Sequence, residues 1–155
     1  MRRGEAEVGS TGAQRAAAAS AFVLMLLPFA ATAAHATDTP GPCAIPFADG
    51  ETVRAHVKDL IRCAVDRWPV RGGATTAICI AKRESGLIPT AVSPSGVNLG
   101  LFQQHRDYWD ANYDTYTRPR WELKHSALNG RTNTIVSIRM AADGGWRPWG
   151  GSDCG

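Results

Sequence analysis

The spacing of apolar residues predicts an amphipathic helix soon after residue 48. Apolar side chains recur there at every third or fourth position, which places them on one helical face. The stripe consists of Val53, Val57, Leu60, Ile61, Ala64, Val65 and Trp68. Asp49 is the predicted N-cap, and Pro69 is predicted to end the helix. Gly72 and Gly73 follow as a turn, so the chain is expected to reverse before a second helix.

The second helix is predicted to begin with Thr75 or Thr76 as its cap and to run to Ser85. Gly86 is predicted to be its left-handed C-terminal cap. The stretch 87–100 contains many turn residues and is expected to be loop or short extended chain.

Two further helices are predicted, a short one over 101–110 and a longer one over 132–142. The polar and aromatic stretch 112–119 between them has poor periodicity and is predicted to be loop. The apolar residues of the last helix are expected to lie inside: Ile135, Val136, Ile138, Met140 and Ala142. The predicted fold is mostly α, one small domain over 49–155 with at most a minor β element.

Residues 1–36 have the composition of a signal peptide. Arg2, Arg3 and Arg15 form a positive region, an alanine-rich apolar stretch follows over 16–34, and Ala34-His35-Ala36 matches a signal-peptidase site. A membrane anchor is the alternative, because the apolar stretch approaches the length of a span. The weak hydrophobicity of alanine and the interruption at Pro28 favour cleavage. We therefore expect an exported protein, secreted or held in the cell envelope, with a lead-in over 37–48.

The net charge gives no reason to expect a nucleic-acid partner. The chain carries a formal charge of +3, and removing three arginines and two glutamates with the signal peptide leaves +2. The basic residues are scattered among acidic ones and form no run. The mature protein is expected to bind neither nucleic acid nor, stably, a membrane.

All four cysteines lie beyond the signal peptide, which indicates two disulfides in an exported chain of this size. Zinc binding is the alternative, but no C-x-x-C pair occurs and no histidine stands at ligand spacing. Cys63 and Cys79 are nearly equidistant from the turn between the first two helices. If those helices are antiparallel, Cys63 faces Cys79, and Cys43 then pairs with Cys154.

The strongest functional signal begins at Glu84, which closes an apolar helical stretch. The run is Glu84-Ser85-Gly86-Leu87-Ile88-Pro89-Thr90-Ala91-Val92-Ser93, and Gly100-Leu101-Phe102-Gln103 follows. The glycines allow the chain to turn back, so that Gln103 is expected to return beside Glu84. A carboxyl group at a helix end, with an amide nearby, suits general acid catalysis on a polar substrate.

This pattern resembles the lysozyme-like lytic transglycosylase family, of the soluble lytic transglycosylase type. The resemblance is close over 77–104, with one extra residue between the two halves, and looser as far as Trp149. It implies a lysozyme-like fold and cleavage of peptidoglycan glycan strands between N-acetylmuramic acid and N-acetylglucosamine. It also implies a single catalytic glutamate, Glu84, with no cofactor and no metal. A monomer is expected.

The remaining site assignments follow from the motif. Ser85 and Ser93 are predicted either to hydrogen-bond the glutamate or substrate, or to serve only as cap and turn residues. Gly100 is predicted to allow close backbone approach, and Gln103 to offer a donor and an acceptor to a sugar. Asn133 corresponds loosely to an asparagine that begins a later helix of the family.

Aromatic and acidic residues downstream are weaker candidates. Aromatic rings in this region suit stacking on sugars, with core packing as the alternative: Tyr108, Trp109, Tyr113 and Tyr116. Four carboxylates are candidates for a second catalytic acid, although the motif marks none of them: Asp107, Asp110, Asp114 and Glu122. The dipole at the end of the second helix disfavours negative charge on Glu84, and Arg83 is expected to point about 100° away around the helix.

One departure from the family pattern keeps alternatives open. The family commonly has Tyr-Asn-Ala-Gly near its end, whereas the comparable stretch here, 140–146, contains no tyrosine. A domain that binds peptidoglycan without cleaving it is therefore the alternative, and a structural domain with a fortuitous motif is a further one. Transglycosylation and hydrolysis are both compatible with the motif.

Overall fold

The computed structural model describes residues 41–151 and 154. Within these residues the chain forms four α-helices, namely α1 (Val53–Arg67), α2 (Gly73–Ser85), α3 (Arg106–Tyr116) and α4 (Gly130–Gly144). Two short strands, β1 (Asn98–Leu99) and β2 (Gln104–His105), pair antiparallel, and two 3-10 turns follow at Pro119–Trp121 and Arg147–Trp149. The mostly α architecture with a minor β element is confirmed.

Part of the sequence prediction falls outside the described residues. This holds for the whole predicted signal peptide, 1–36, and for residues 37–40 of the predicted lead-in. Between residues 41 and 151, the helices are all too short or too polar to cross a membrane.

The first helix begins later than predicted. Asp49 lies in a turn in which Glu51 N donates to Ala48 O, and Gly50 has a φ of +74°. Thr52 is the N-cap instead, because its side-chain oxygen accepts a hydrogen bond from Ala55 N at 3.1 Å. The helix ends before Pro69, as predicted.

The second helix is bounded by glycines at both ends. Gly72 is its N-cap, so neither Thr75 nor Thr76 caps it as predicted. A Cβ atom at Gly72 would lie 2.0 Å from the Thr76 hydroxyl, so the buried threonine excludes any larger residue there. At the other end Gly86 has a φ of +66° and its N–H bonds to the Lys82 carbonyl, which confirms the predicted C-terminal cap.

The third helix is shifted from its predicted position. Residues 101–103 form the turn between the strands, and the helix covers 106–116, of which 112–116 were predicted to be loop. Trp109 and Tyr113 lie one turn apart and pack inward, with Tyr116 beside them. Short polar residues between these aromatic positions obscured the helical period.

The core lies between α1 and α4, which make the most extensive helix contact, and α2 and α3 pack at its sides. Its fully buried large side chains come from α1, α2, the hairpin turn and α4: Ile61, Ile80, Leu101, Phe102, Ile135, Val136 and Ile138. The last helix is longer than predicted, with Ala141 buried where Ala142 was expected. Leu101 and Phe102 anchor the hairpin turn in this core.

Both disulfides form, but the predicted pairing is wrong. Cys43 pairs with Cys63, and Cys79 pairs with Cys154, with Cα–Cα distances of 5.8 and 5.7 Å. The prediction assumed that α1 and α2 run side by side as an antiparallel pair. Because α1 packs chiefly against α4, Cys63 instead faces the N-terminal segment.

Candidate functional site

A cleft of about 410 Å³ opens where the end of α2, the β-hairpin, α3, α4 and the C-terminal turn meet. Its walls combine one carboxylate, several carboxamides, two aromatic rings, a histidine and a thioether. The lining residues are Glu84, Asn98, Gln103, Gln104, His105, Tyr108, Asn112, Met140, Pro148 and Trp149. Glu84 and Gln103, which were predicted to meet, therefore line the same cleft.

Glu84 lies in the last turn of α2, held there by its neighbour in sequence. Ser85 Oγ is within hydrogen-bond distance of the carbonyls of Ala81, at 3.0 Å, and Leu101, at 2.8 Å. Ile88 N in turn donates to Ser85 Oγ. Ser85 therefore links the helix end to the hairpin turn, and its hydroxyl is already hydrogen-bonded to backbone groups of the protein.

Arg83 contacts Glu84 directly, contrary to the expectation that it points away. Its Nη2 and Nε lie 3.1 and 3.3 Å from Glu84 Oε1, and Nη2 also donates to the Trp149 carbonyl. The Arg83 and Glu84 side chains are 35% and 24% exposed. The long arginine side chain thus turns back to its neighbour and forms a partly exposed ion pair with it.

The hairpin turn brings Gln103 into the cleft by close backbone packing. Gly100 has a φ of +78°, and a Cβ atom there would lie 2.1 Å from the Ala127 carbonyl oxygen. Gln103 also has a positive φ, 49°, and its Nε2 donates to the Gly100 carbonyl at 2.9 Å. Gly100 therefore shapes the turn, and no atom of it lines the cleft.

Asn133 secures this turn from α4, and it is fully buried. Its Oδ1 accepts from Phe102 N at 2.9 Å, and its Nδ2 donates to the carbonyls of Leu99 and Ala127. Every polar group of this side chain is thus satisfied by the backbone of the hairpin and the loop before α4. Asn133 is a structural residue beneath the cleft.

Ser93 has a similar role in the loop before β1. Its Oγ accepts from Asn98 N at 3.0 Å and lies 3.1 Å from Ser95 Oγ. The hydroxyl is occupied by this turn, and Ser93 is absent from the cleft lining. Of the four predicted substrate-binding residues, only Gln103 reaches the cleft.

Several cleft residues were not singled out from the sequence, and one of them, Asn112, was missed because α3 was not recognised over its full length. Gln104 and Met140 enter from β2 and α4, and Asn112 enters from α3. A helical period through Tyr108 and Asn112 was the available signal, since residues four apart share one face.

The four aromatic candidates separate into different environments. Tyr108 lies on the cleft rim and is 64% exposed. Trp109 and Tyr113 pack inward, where Trp109 Nε1 donates to the His125 carbonyl and Tyr113 OH to the Leu123 carbonyl. Tyr116 packs beside Arg139, away from the cleft lining.

The C-terminal turn forms one wall of the cleft. Trp149 is 7% exposed, and its Nε1 donates to the Phe102 carbonyl at 2.7 Å. Its ring meets Phe102 and Trp146 edge to face, at centroid distances of 6.1 and 5.5 Å. This wall is therefore attached to the same hairpin turn that presents Gln103.

Glu84 is the sole carboxylate among the described residues that line the cleft. The four other acidic candidates lie outside it: Asp107, Asp110, Asp114 and Glu122. Asp110 makes an exposed contact of 3.4 Å with His125 Nε2. Lysine and arginine are likewise absent from the described lining.

No metal centre is evident in the described part of the chain, where no three histidine, cysteine or acidic side chains gather closely enough to hold an ion. The site chemistry is that of one carboxyl group among neutral hydrogen-bonding groups and aromatic rings.

Comparison with known proteins adds no assignment. No protein-family model matches the chain, and neither a curated protein nor a solved structure matches it.

Proposed function

We propose that this protein is an exported enzyme that cleaves the glycan strands of peptidoglycan, with Glu84 as its catalytic acid and base. The observation that carries the proposal is the cleft itself, in which Glu84 is the one described carboxylate among carboxamides and aromatic rings. This composition suits a neutral, hydroxyl-rich and amide-bearing polymer. The motif around Glu84 supports the same assignment through its resemblance to the lytic transglycosylases.

A single carboxyl group is sufficient for this chemistry if the substrate assists. Glu84 donates its proton to the glycosidic oxygen as the bond from C1 of N-acetylmuramic acid breaks. The carbonyl oxygen of the 2-acetamido group bonds to C1 and stabilises the positive charge. The 6-hydroxyl then attacks C1 and displaces the acetamido oxygen, giving its proton to the Glu84 carboxylate. A 1,6-anhydro product results, and Glu84 is protonated again.

Gln103 and Arg83 support this cycle in different ways. Gln103 Nε2 is bonded to the Gly100 carbonyl, so the amide is held in one orientation at the cleft wall. Arg83 contacts both Glu84 Oε1 and the Trp149 carbonyl, so it links the carboxyl group to the C-terminal wall of the cleft and holds it in position.

The decisive experiment is digestion of purified sacculi by the wild-type protein and by Glu84→Gln, with mass spectrometry of the released muropeptides. The substitution keeps the shape and removes the transferable proton, so cleavage is expected to fall by at least ~100-fold. Asp114→Asn, which removes an exposed carboxylate on α3, is the matched control and should digest normally. Wild-type activity in Glu84→Gln would disprove the assignment.

The products also distinguish the variants of the proposal. Anhydro ends indicate transglycosylation, whereas reducing ends indicate that water attacks C1 instead. The absence of the family's tyrosine from 140–146 favours a second candidate, a domain that binds peptidoglycan without turnover. Sacculi bound without any released product would establish that alternative.

A further inference from the structure

One face of α3 carries two cleft residues whose side chains complement each other. Tyr108 and Asn112 are four residues apart, so they lie one above the other on the helix surface, about 5–6 Å apart at Cβ. Both line the cleft. The exposed Tyr108 ring lies against His105, with centroids 4.9 Å apart. The pair thus presents an aromatic ring and a carboxamide side by side in the cleft lining.

A chain of hydrogen bonds fixes the orientation of the Asn112 carboxamide. Gln104 is 4% exposed, and its Nε2 donates to Ser137 Oγ at 2.8 Å and lies 3.4 Å from Met140 Sδ. With its donors used in this way, Gln104 presents Oε1 to Asn112, which donates through Nδ2 at 3.2 Å. Among the described residues no donor bonds to the other end of this carboxamide, Asn112 Oδ1, which can therefore accept from a ligand.

We propose that this face of α3 is a subsite for one 2-acetamido sugar, in which Asn112 Oδ1 accepts the acetamido N–H. Tyr108 stacks on the sugar ring, and the acetyl methyl group packs against the Met140 thioether, which lies beside Gln104. The proposal rests on the proposed function and adds a residue that determines specificity. Tyr108, Asn112 and Met140 carry no charge, so this part of the cleft suits a neutral acetamido group.

Binding by calorimetry to the Glu84→Gln protein tests the subsite without turnover. The probes are the β-1,4-linked tetramers of N-acetylglucosamine and of glucose, which differ only at the 2-substituent. We expect the acetylated tetramer to bind more tightly. Adding Asn112→Ala should weaken its binding about 3–10-fold, the effect of one hydrogen bond between uncharged groups, and leave the glucose tetramer unaffected.

Two further variants make the result specific to Asn112. Tyr108→Ala should weaken both tetramers, because stacking does not depend on the 2-substituent, and Asp114→Ala, on an exposed face of α3, should change neither. Thermal melting confirms that each variant is folded. Failure of both tetramers to bind, or an equal effect of Asn112→Ala on both, would overturn the subsite. Sacculus cleavage that depends on Glu84 would survive that result, so the two proposals fail separately.

Discussion

Cys43–Cys63 and Cys79–Cys154 both fasten a terminal segment to a helix, but they close loops of different length in different surroundings. The first spans 20 residues and joins the N-terminal segment to α1. The second spans 75 residues and joins the C-terminal tail to α2, the helix whose last turn carries Glu84. Pro148 and Trp149, which line the cleft, come shortly before Cys154. One disulfide thus bounds a region without cleft residues, and the other holds a cleft wall against the helix of the candidate acid.

The largest loss of stability is expected from Cys79→Ala/Cys154→Ala. Loop-closure entropy assigns about 4.5 kcal/mol of unfolding free energy to a loop of this length. The variant should also lose cleavage activity at temperatures where it is still folded, because the tail that carries Trp149 is no longer tied to α2. Denaturant unfolding and sacculus digestion measure the two effects. Full activity of the folded variant would show that the tail holds its position without the disulfide.

The double variant Cys43→Ala/Cys63→Ala should lose less unfolding free energy than Cys79→Ala/Cys154→Ala, and its activity should not change. The same entropy relation gives about 3 kcal/mol for the shorter loop. Because neither cysteine lines the cleft, activity per folded molecule should equal that of the wild type. A drop in the activity of the folded variant would remove the functional distinction between the two disulfides.

Trp149→Phe separates the cleft wall from the disulfide that holds it. The substitution keeps an aromatic ring but removes the donor to the buried Phe102 carbonyl, at an expected cost of about 1–3 kcal/mol. With the disulfide intact, the loss should appear as a lower denaturation midpoint with an unchanged slope. A stability equal to wild type would mean that the hydrogen bond contributes nothing measurable to fastening the wall.

Arg83→Gln should have the smallest effect on stability, within about 1 kcal/mol, because the ion pair with Glu84 is partly exposed. The turnover number should fall roughly 10-fold, since Arg83 positions the carboxylate and links it to the Trp149 carbonyl. The Michaelis constant should change little. Arg83→Lys keeps the charge but loses the forked geometry. Its turnover number should lie between those of Arg83→Gln and the wild type. An increase in turnover would instead identify Arg83 as an inhibitory contact.

Features set by neighbouring residues were predictable from the sequence. The apolar stripe of α1, the end of that helix before Pro69 and the cap at Gly86 depend on side-chain period and backbone dihedral angles within a few residues. The arrival of Gln103 in the same cleft as Glu84 was also predicted, because glycines mark the intervening turn. Together with Tyr108, three of the lining residues were thus candidates from the sequence alone.

Features that depend on distant packing were not predictable. The disulfide pairing follows from α1 packing against α4, and nothing near the cysteines signals that choice. The chain of hydrogen bonds from Ser137 through Gln104 to Asn112 joins α4, β2 and α3, so no local sequence pattern signals it. Ser85 and Ser93 belong to the motif. Their hydroxyls nevertheless bond mainly to backbone carbonyl and amide groups, which the motif does not reveal.

The placement of Trp149 has an optical consequence. The chain contains five tryptophans, and all five lie among the described residues, but Trp149 alone lines the cleft. A glycan that enters should change the surroundings of this indole at the cleft wall and alter its fluorescence, while Trp68 and Trp121 lie apart beside Arg139. Protein emission therefore provides an unlabelled reporter of occupancy, one that Trp149→Phe should silence.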